Sequence, residues 1–265
     1  MKPSPALALA VLAPLLLSPV QDPPVMARTT GATDPVSIQA VTLNVHHQNP
    51  QSEQNADIRH AAAMGGVIGW QEVSGRSFAT IAHLRGFRTY FPRTDGGKRY
   101  ESPISWRSDT WVRLEAGSRR THGGLEHVSP PRYVTWVGLR RRDTGFRLAV
   151  IDNHLIAHGW CHHFPRLKEQ ILQRWHHHIA VLRTVMAGLR DRGYTVLVLG
   201  DFNRNDYPVL GDTVHYDLPW NVVTNGARQH YDYLMHTGGR LQRSGYVIDR
   251  SVSSHHAAVR VSYTE

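Results

Sequence analysis

Residues 196–205 read VLVLGDFNRN, an apolar run rich in Val and Leu that stops at a glycine and then presents a carboxylate and an amide two positions apart. Such a continuous run predicts a strand buried on both faces. On an extended chain residues two apart share a face, so Asp201 and Asn203 are expected side by side at the strand's carboxyl end, with Gly200 removing bulk beside them. A carboxylate beside an amide donor can orient and deprotonate a water while holding a second atom of a substrate. The same residues can also close a turn in which both side chains merely satisfy backbone groups.

Outward from this run, the chain alternates strand and helix patterns. SIQAVTLNV (37–45), GVIGWQEV (66–73), GFRTYF (86–91), SPISWR (102–107), RYVTWVGL (132–139), FRLAVIDNHL (146–155), HYDYLMH (230–236), YVIDR (246–250) and AAVRVSY (257–263) have strand composition. Helices are expected over 52–64, 74–84 and 165–193. In the last, Leu167, Ile171, Trp175, Ile179, Leu182, Val185 and Leu189 form one apolar stripe before Gly193. That stripe has room for at most one of His176, His177 and His178. RRRDTGFR (140–147) reads as a hairpin turn with Gly145 at the positive backbone angle. Many strands, few helices and no linker after residue 35 predict one α/β sandwich of two packed sheets with helices outside.

Composition narrows the class. The chain has 265 residues, 41% hydrophobic and 19% charged, which suits a globular domain and excludes a disordered or multiply membrane-spanning chain. A formal charge of +9, with 18 histidines uncounted, favours anionic partners such as nucleic acid, phosphorylated compounds or acidic membrane surfaces. Lys2, the apolar stretch ALALAVLAPLLL and the small residues of Val25-Met26-Ala27 predict a cleaved secretory signal over 1–27. A flexible segment over 28–35 and a catalytic domain over 36–265 would follow. Cys161 is the single cysteine, so no intrachain disulfide forms and the core must hold the fold. Its surroundings, HGWCHHF, suggest zinc, but one thiol among loop histidines is read as incidental.

Other strand ends carry polar residues. Asn44 ends one apolar strand, Glu72 closes VIGWQEV as its lone charge, His154 closes DNHL, Asp232 lies within HYDYLM, and His255 and His256 open the last strand. A carboxylate on a buried strand needs a partner or a cation. Together with Asp201 and Asn203, these groups suit a metal-assisted attack on phosphorus.

The order of GDFN, WQEV, NHL, LNV and YDY resembles the endonuclease/exonuclease/phosphatase superfamily, over residues from about 37 to the end. The resemblance implies a deoxyribonuclease I-like fold: a four-layered α/β sandwich of two mainly antiparallel sheets flanked by helices. It implies that Glu72 ligates a divalent cation with Asn44 near it, and that Asp201 aligns or deprotonates the attacking water. Asn203 would hold that water or a phosphate oxygen, Asp232 would orient His256 toward the phosphate, and His154 would assist the leaving oxygen from the other side. Two residues depart from the family pattern: His255 stands where many relatives have aspartate, and His46 where some have an acid. Oxygen ligands point to Mg2+, with Mn2+ or Ca2+ as alternatives, whereas His46 and His255 as ligands would favour a metal that accepts imidazole.

The expected substrate is DNA, with RNA as a further candidate, cleaved by a secreted monomer. Sphingomyelin or a phosphoinositide is the alternative substrate, although no apolar hairpin for membrane contact is evident in the sequence. A catalytically weak nucleic-acid-binding protein of the same fold is a further reading, kept open by the missing aspartate at position 255.

Overall fold

The computed structural model describes residues 37–265; the segments 1–27 and 28–35 lie outside them. In chain order the elements are β1 (Ser37–Asn44), α1 (Gln51–Met64), β2 (Val67–Gln71), α2 (Ser77–Ala82), β3 (Phe87–Tyr90), β4 (Ile104–Arg107), β5 (Trp111–His122), β6 (Arg132–Arg141) and β7 (Arg147–His154). They continue with α3 (Lys168–Asp191), β8 (Thr195–Asp201), β9 (Val214–Tyr216), β10 (Asp232–Thr237), β11 (Gln242–Asp249) and β12 (Ala258–Thr264). One six-stranded sheet has the order β11-β12-β1-β2-β4-β3 and the other β5-β6-β7-β8-β10-β9.

Alternation along the strands builds the layers. Ile38 and Ala40 of β1, Leu148 and Val150 of β7, Leu197 and Leu199 of β8, and Val259 and Val261 of β12 fill the space between the sheets. The residues between them point outward. Ala149, Ile151, Val196 and Val198 meet the Ile171, Trp175, Leu182 and Leu189 stripe of α3. Val41, Leu43, Ile68 and Trp70 meet Ile58, Ala61 and Ile81 on the α1 and α2 side. The result is the expected four-layered sandwich. Each fully buried large aliphatic side chain contributes about 1.5–3 kcal/mol, so α3 is held by its packed stripe more than by helix propensity. His178 is the one histidine of its triplet on that stripe, bonded to Thr121 Oγ1 at 3.1 Å and Asn153 Oδ1 at 3.2 Å; His176 and His177 are exposed.

Most pairings are antiparallel, but β1 runs parallel to β2 through α1, and β7 parallel to β8 through α3. A parallel pair requires such a crossover and leaves both carboxyl ends on the same side. Asn44 therefore pairs with Gln71, and His154 with Asp201.

The sequence reading missed β5 and β9. β5 is a sheet-edge strand whose sequence, WVRLEAGSRRTH, is mostly half-exposed, so it carries no buried apolar run. β9 is only three residues long. Gly145 has φ +74° in the β6–β7 turn, as expected. The arginines of that turn sit at the opposite end of β6 from Arg132 and so lie away from the strand ends that carry Asn44 and His154.

Gly200 does more than remove bulk. Its φ is +131°, and a Cβ there would fall 2.0 Å from the Asn153 carbonyl oxygen of the neighbouring strand. Gly200→Ala is expected to cost about 2–4 kcal/mol, combining backbone strain with a backbone clash. Gly145→Ala, at a left-handed position with open space, is expected to cost about 1 kcal/mol. Chemical denaturation of the two variants measures the difference; equal losses would refute the close-approach account.

Candidate active site

The inward stripes that build the core continue into the site. On β8, Leu197 and Leu199 are followed by Asp201; on β7, Leu148 and Val150 are followed by Asp152 and His154; on β1, Ile38 and Ala40 are followed by Thr42 and Asn44. On β10, Asp232 precedes the inward Leu234. All four strands thus exchange apolar for polar residues at one end of the sandwich. Asn44 Nδ2 donates to Asp201 Oδ2 at 3.1 Å and to Glu72 Oε1 at 3.0 Å, which ties the two sheets together there.

Asp201 is 1% exposed. Burial raises its pKa above the ordinary carboxylate range, against the lowering influence of His256 and His154. Its Oδ2 lies 3.7 Å from Nε2 of His154 and 3.8 Å from Nε2 of His256. His256 Nδ1 lies 3.0 and 2.9 Å from the two oxygens of Asp232. Burial opposes the charge on His256, but Asp232 and Asp201 outweigh it and raise its pKa to about 9. The ring is therefore an imidazolium at neutral pH. Among the described residues, Asp201, Asp232 and His256 form the group whose ligand atoms lie within 4.8 Å of one another, as a metal site requires.

Glu72 follows β2 in a left-handed conformation, φ +58°. Burial works against its charge, yet His154, charged at the acidic pH where Glu72 titrates, and hydrogen bonds from Asn44 and His47 hold its carboxyl below the usual range. His154 is 3% exposed; burial first, then Arg132, lowers its pKa to about 4, so it is neutral at pH 7. Its Nδ1 lies 2.8 Å from Glu101 Oε1 and 2.8 Å from Arg132 Nη1, and Arg132 pairs with Glu101.

Of the two arrangements the sequence allows, Asn203 takes the turn and not the extended register. It does not extend the strand beside Asp201 but turns at φ +51°, its backbone N–H bonding Asp201 Oδ1 at 2.8 Å and its Nδ2 donating to Leu155 O at 3.0 Å. An extended register fails because the turn lets Asn203 satisfy backbone and carboxylate at once. It nevertheless lines the cavity, with one amide hydrogen left for a ligand. His255 and His256 do not open β12 but precede it. Their loop is held on α1 by Asp57, which accepts from Ser253 N at 2.9 Å and Ser254 N at 3.0 Å, while Ser254 Oγ donates to Asn44 O at 2.7 Å.

The cavity over this floor has a volume of about 1140 Å³ and is lined by Glu72, His154, Asp201, Asn203, His255 and His256 among others. His46 is not in its lining but packs edge-on against His255 at 4.2 Å. Cys161 lies on the rim, exposed, 3.6 Å from His158 Nδ1, and belongs to no three-ligand group among the described residues. Glu101, Arg132, Asp57 and Ser254 went unread in the sequence. Glu101 and Arg132 stand at the ends of ordinary strand patterns, and the Asp57 contact spans 196 residues.

The pH behaviour of His256 follows from its partners. Its pKa rises on folding from an ordinary 6.5 to about 9, so its contribution to stability is complete below about pH 6.5 and is lost as pH rises through 9. An NMR titration of the ring is expected to give a midpoint near 9 that falls by more than one unit in Asp232→Asn. A midpoint near 6.5 in the wild type would contradict the charged assignment.

No protein-family profile and no curated protein matches the sequence. Solved structures do match the fold. An endonuclease/exonuclease/phosphatase family protein from Bacteroides thetaiotaomicron gives a TM-score of 0.69 at 16% identity, covering 87% of this chain and 98% of that one. A mannosyl-6-phosphatase from the same species gives 0.66 at 17% identity, covering 85% and 99%. The catalytic domain of human Nocturnin, with a bound sulfate anion, gives 0.65 at 13% identity, covering 86% and 95%. At such identities the likeness concerns the fold: the chain has the deoxyribonuclease I-like α/β sandwich of endonuclease/exonuclease/phosphatase proteins.

Proposed function

We propose that the protein is a divalent-metal-dependent phosphodiester hydrolase, a secreted nuclease that cleaves DNA by attack of an activated water on phosphorus. One observation carries this reading: Asp201 is buried between the Asn44 amide and two imidazoles, one of them charged. A carboxylate with a raised pKa is a stronger base than an exposed aspartate and can take a proton from water. The His256 imidazolium, fixed by Asp232, faces the same space and can stabilise the charge that grows on a phosphoryl oxygen. His154, neutral and gripped at Nδ1, presents Nε2 to the cavity, where an arriving phosphate would draw it toward its charged form. In that form it can assist departure of the leaving oxygen.

The residues at the cation position fit a metal. Glu72 stays ionised, and Asn44 orients it. His255, lowered to about 4 first by burial and then by His256 and His46, is neutral at pH 7 and keeps one ring-nitrogen lone pair for a metal. A bound divalent cation would supply Lewis-acid stabilisation of a nonbridging oxygen. Mg2+ suits the oxygen donors, and the imidazole of His255 widens the set toward Mn2+.

The net charge of +9 and the Lys98, Arg99, Arg132 and Arg204 lining support a nucleic-acid substrate. Secretion rests on the signal pattern of residues 1–27. A phosphomonoester is the second reading, favoured by the fold shared with a mannosyl-6-phosphatase.

Protein recovered from culture medium, expected to begin at Arg28, is assayed on supercoiled plasmid with EDTA, Mg2+, Mn2+ or Ca2+. The expected result is metal-dependent nicking that falls by about 10²–10⁴ in Asp201→Asn, the size of a general-base contribution. Nicking that survives this substitution overturns the mechanism. DNA retained uncut under every cation, with steep salt dependence, would instead support a binding protein.

A further inference from the structure

Trp160 is set in the loop that follows β7 and is 41% exposed. Its ring meets Trp175 edge-on with centroids 4.9 Å apart. Trp175 is itself 2% exposed and anchored through Nε1 to Phe202 O at 2.9 Å. The Arg204 guanidinium sits 4.5 Å from the Trp160 ring centre and 5.2 Å from that of Trp175. Arg204 is steadied in turn by Asp206 at 3.2 Å, and its backbone carbonyl accepts from Tyr233 at 2.8 Å. The exposed indole is therefore held in one orientation by packed neighbours.

Trp160 and Arg204 line the same cavity as His154, Asp201 and Asn203, and Arg204 directly follows Asn203 in the chain. Phe78 and Tyr231 also face that cavity, beside Lys98 and Arg99, and Arg99 lies 5.8 Å from the Phe78 ring centre. Cations interleaved with aromatic faces suit an unpaired strand, whose backbone meets the charges while its bases stack on the rings. A duplex backbone needs the cations alone, because its bases are stacked on one another and have no free face to offer.

We propose that Trp160, backed by Arg204, is a stacking platform for an unpaired nucleobase beside the scissile phosphate, so that single strands or short nucleotide diesters are cleaved ahead of duplex. This specificity rests on the nuclease reading given above. Trp160 acts on binding and touches the base, not the reacting atoms.

The test compares wild type, Trp160→Ala and Trp160→Phe on three DNA substrates of equal length: a single strand, its duplex, and a single strand of abasic residues. Trp160→Ala is expected to lose about tenfold or more in kcat/KM on the normal single strand relative to its own change on the other two, the scale of one lost base–aromatic stack. The loss should fall mainly on KM, and Trp160→Phe should restore most of it. Equal losses on all three substrates, or none, would overturn the proposal by reducing Trp160 to a structural or idle residue. A parallel titration reads tryptophan fluorescence with a dinucleotide: quenching in the wild type that disappears in Trp160→Phe supports the platform even if no strand is cut, whereas unchanged quenching refutes it. Absence of cleavage by the wild type would defeat the nuclease reading alone.

Discussion

The hydrogen bond from Asn44 to Asp201 crosses from one sheet to the other, and the arrangement of the site depends on it. It can form because each sheet contains one parallel pair, β1 with β2 and β7 with β8, whose carboxyl ends face the same way. Two helical crossovers are the topological requirement for those pairs. Period-two alternation then aims Asn44, His154 and Asp201 inward without any special loop. The same stripe that is hydrophobic in the middle of the sandwich becomes polar at its mouth. A one-residue slip in either sheet would turn these side chains toward the helices.

Electrostatics impose the second constraint. Asn44, His154, Asp201, Asp232 and His256 are each 5% exposed or less, a costly set to bury in isolation. The cost is offset by pairing: Asp232 with His256, Glu101 with Arg132 and His154, Glu72 with Asn44 and His47. Pairing also separates two histidines of the same intrinsic basicity. Asp232 and Asp201 outweigh burial at His256 and keep it charged, whereas at His154 burial, joined by Arg132, prevails and leaves it neutral. One imidazole can thus stabilise an anion while the other remains free to change state. The left-handed backbones of Glu72, Asn203 and His158, all in the cavity lining, place further strain at the site, where function can use it.

The fold and the polar groups of the candidate site were legible where chemistry and secondary structure coincide. VLVLGD is at once a buried strand and a polar strand end, and the helix expected over 165–193 showed most of its buried stripe, Met186 apart. Legibility failed where geometry is nonlocal or the chain leaves its period. β5 is an edge strand with too few apolar residues to stand out. Asn203 turns away from an extended register that spacing alone predicts. Asp57 is a plain helix residue until the loop of His255 and His256 is seen resting on it. Trp160 reads as an unremarked aromatic in a histidine-rich loop until Arg204 is found across its ring.

Oxygen tracing tests the central claim, that a water activated by Asp201 attacks phosphorus. A short DNA single strand is digested to completion in water enriched in oxygen-18, and the products are weighed by mass spectrometry. The account predicts that each cleavage places one heavy oxygen on the phosphate-bearing product and none on the released hydroxyl. Heavy oxygen on the sugar hydroxyl, or a phosphate product without label, would mean that a carbon–oxygen bond breaks or that the strand's own hydroxyl attacks, and either result would contradict the role given to Asp201.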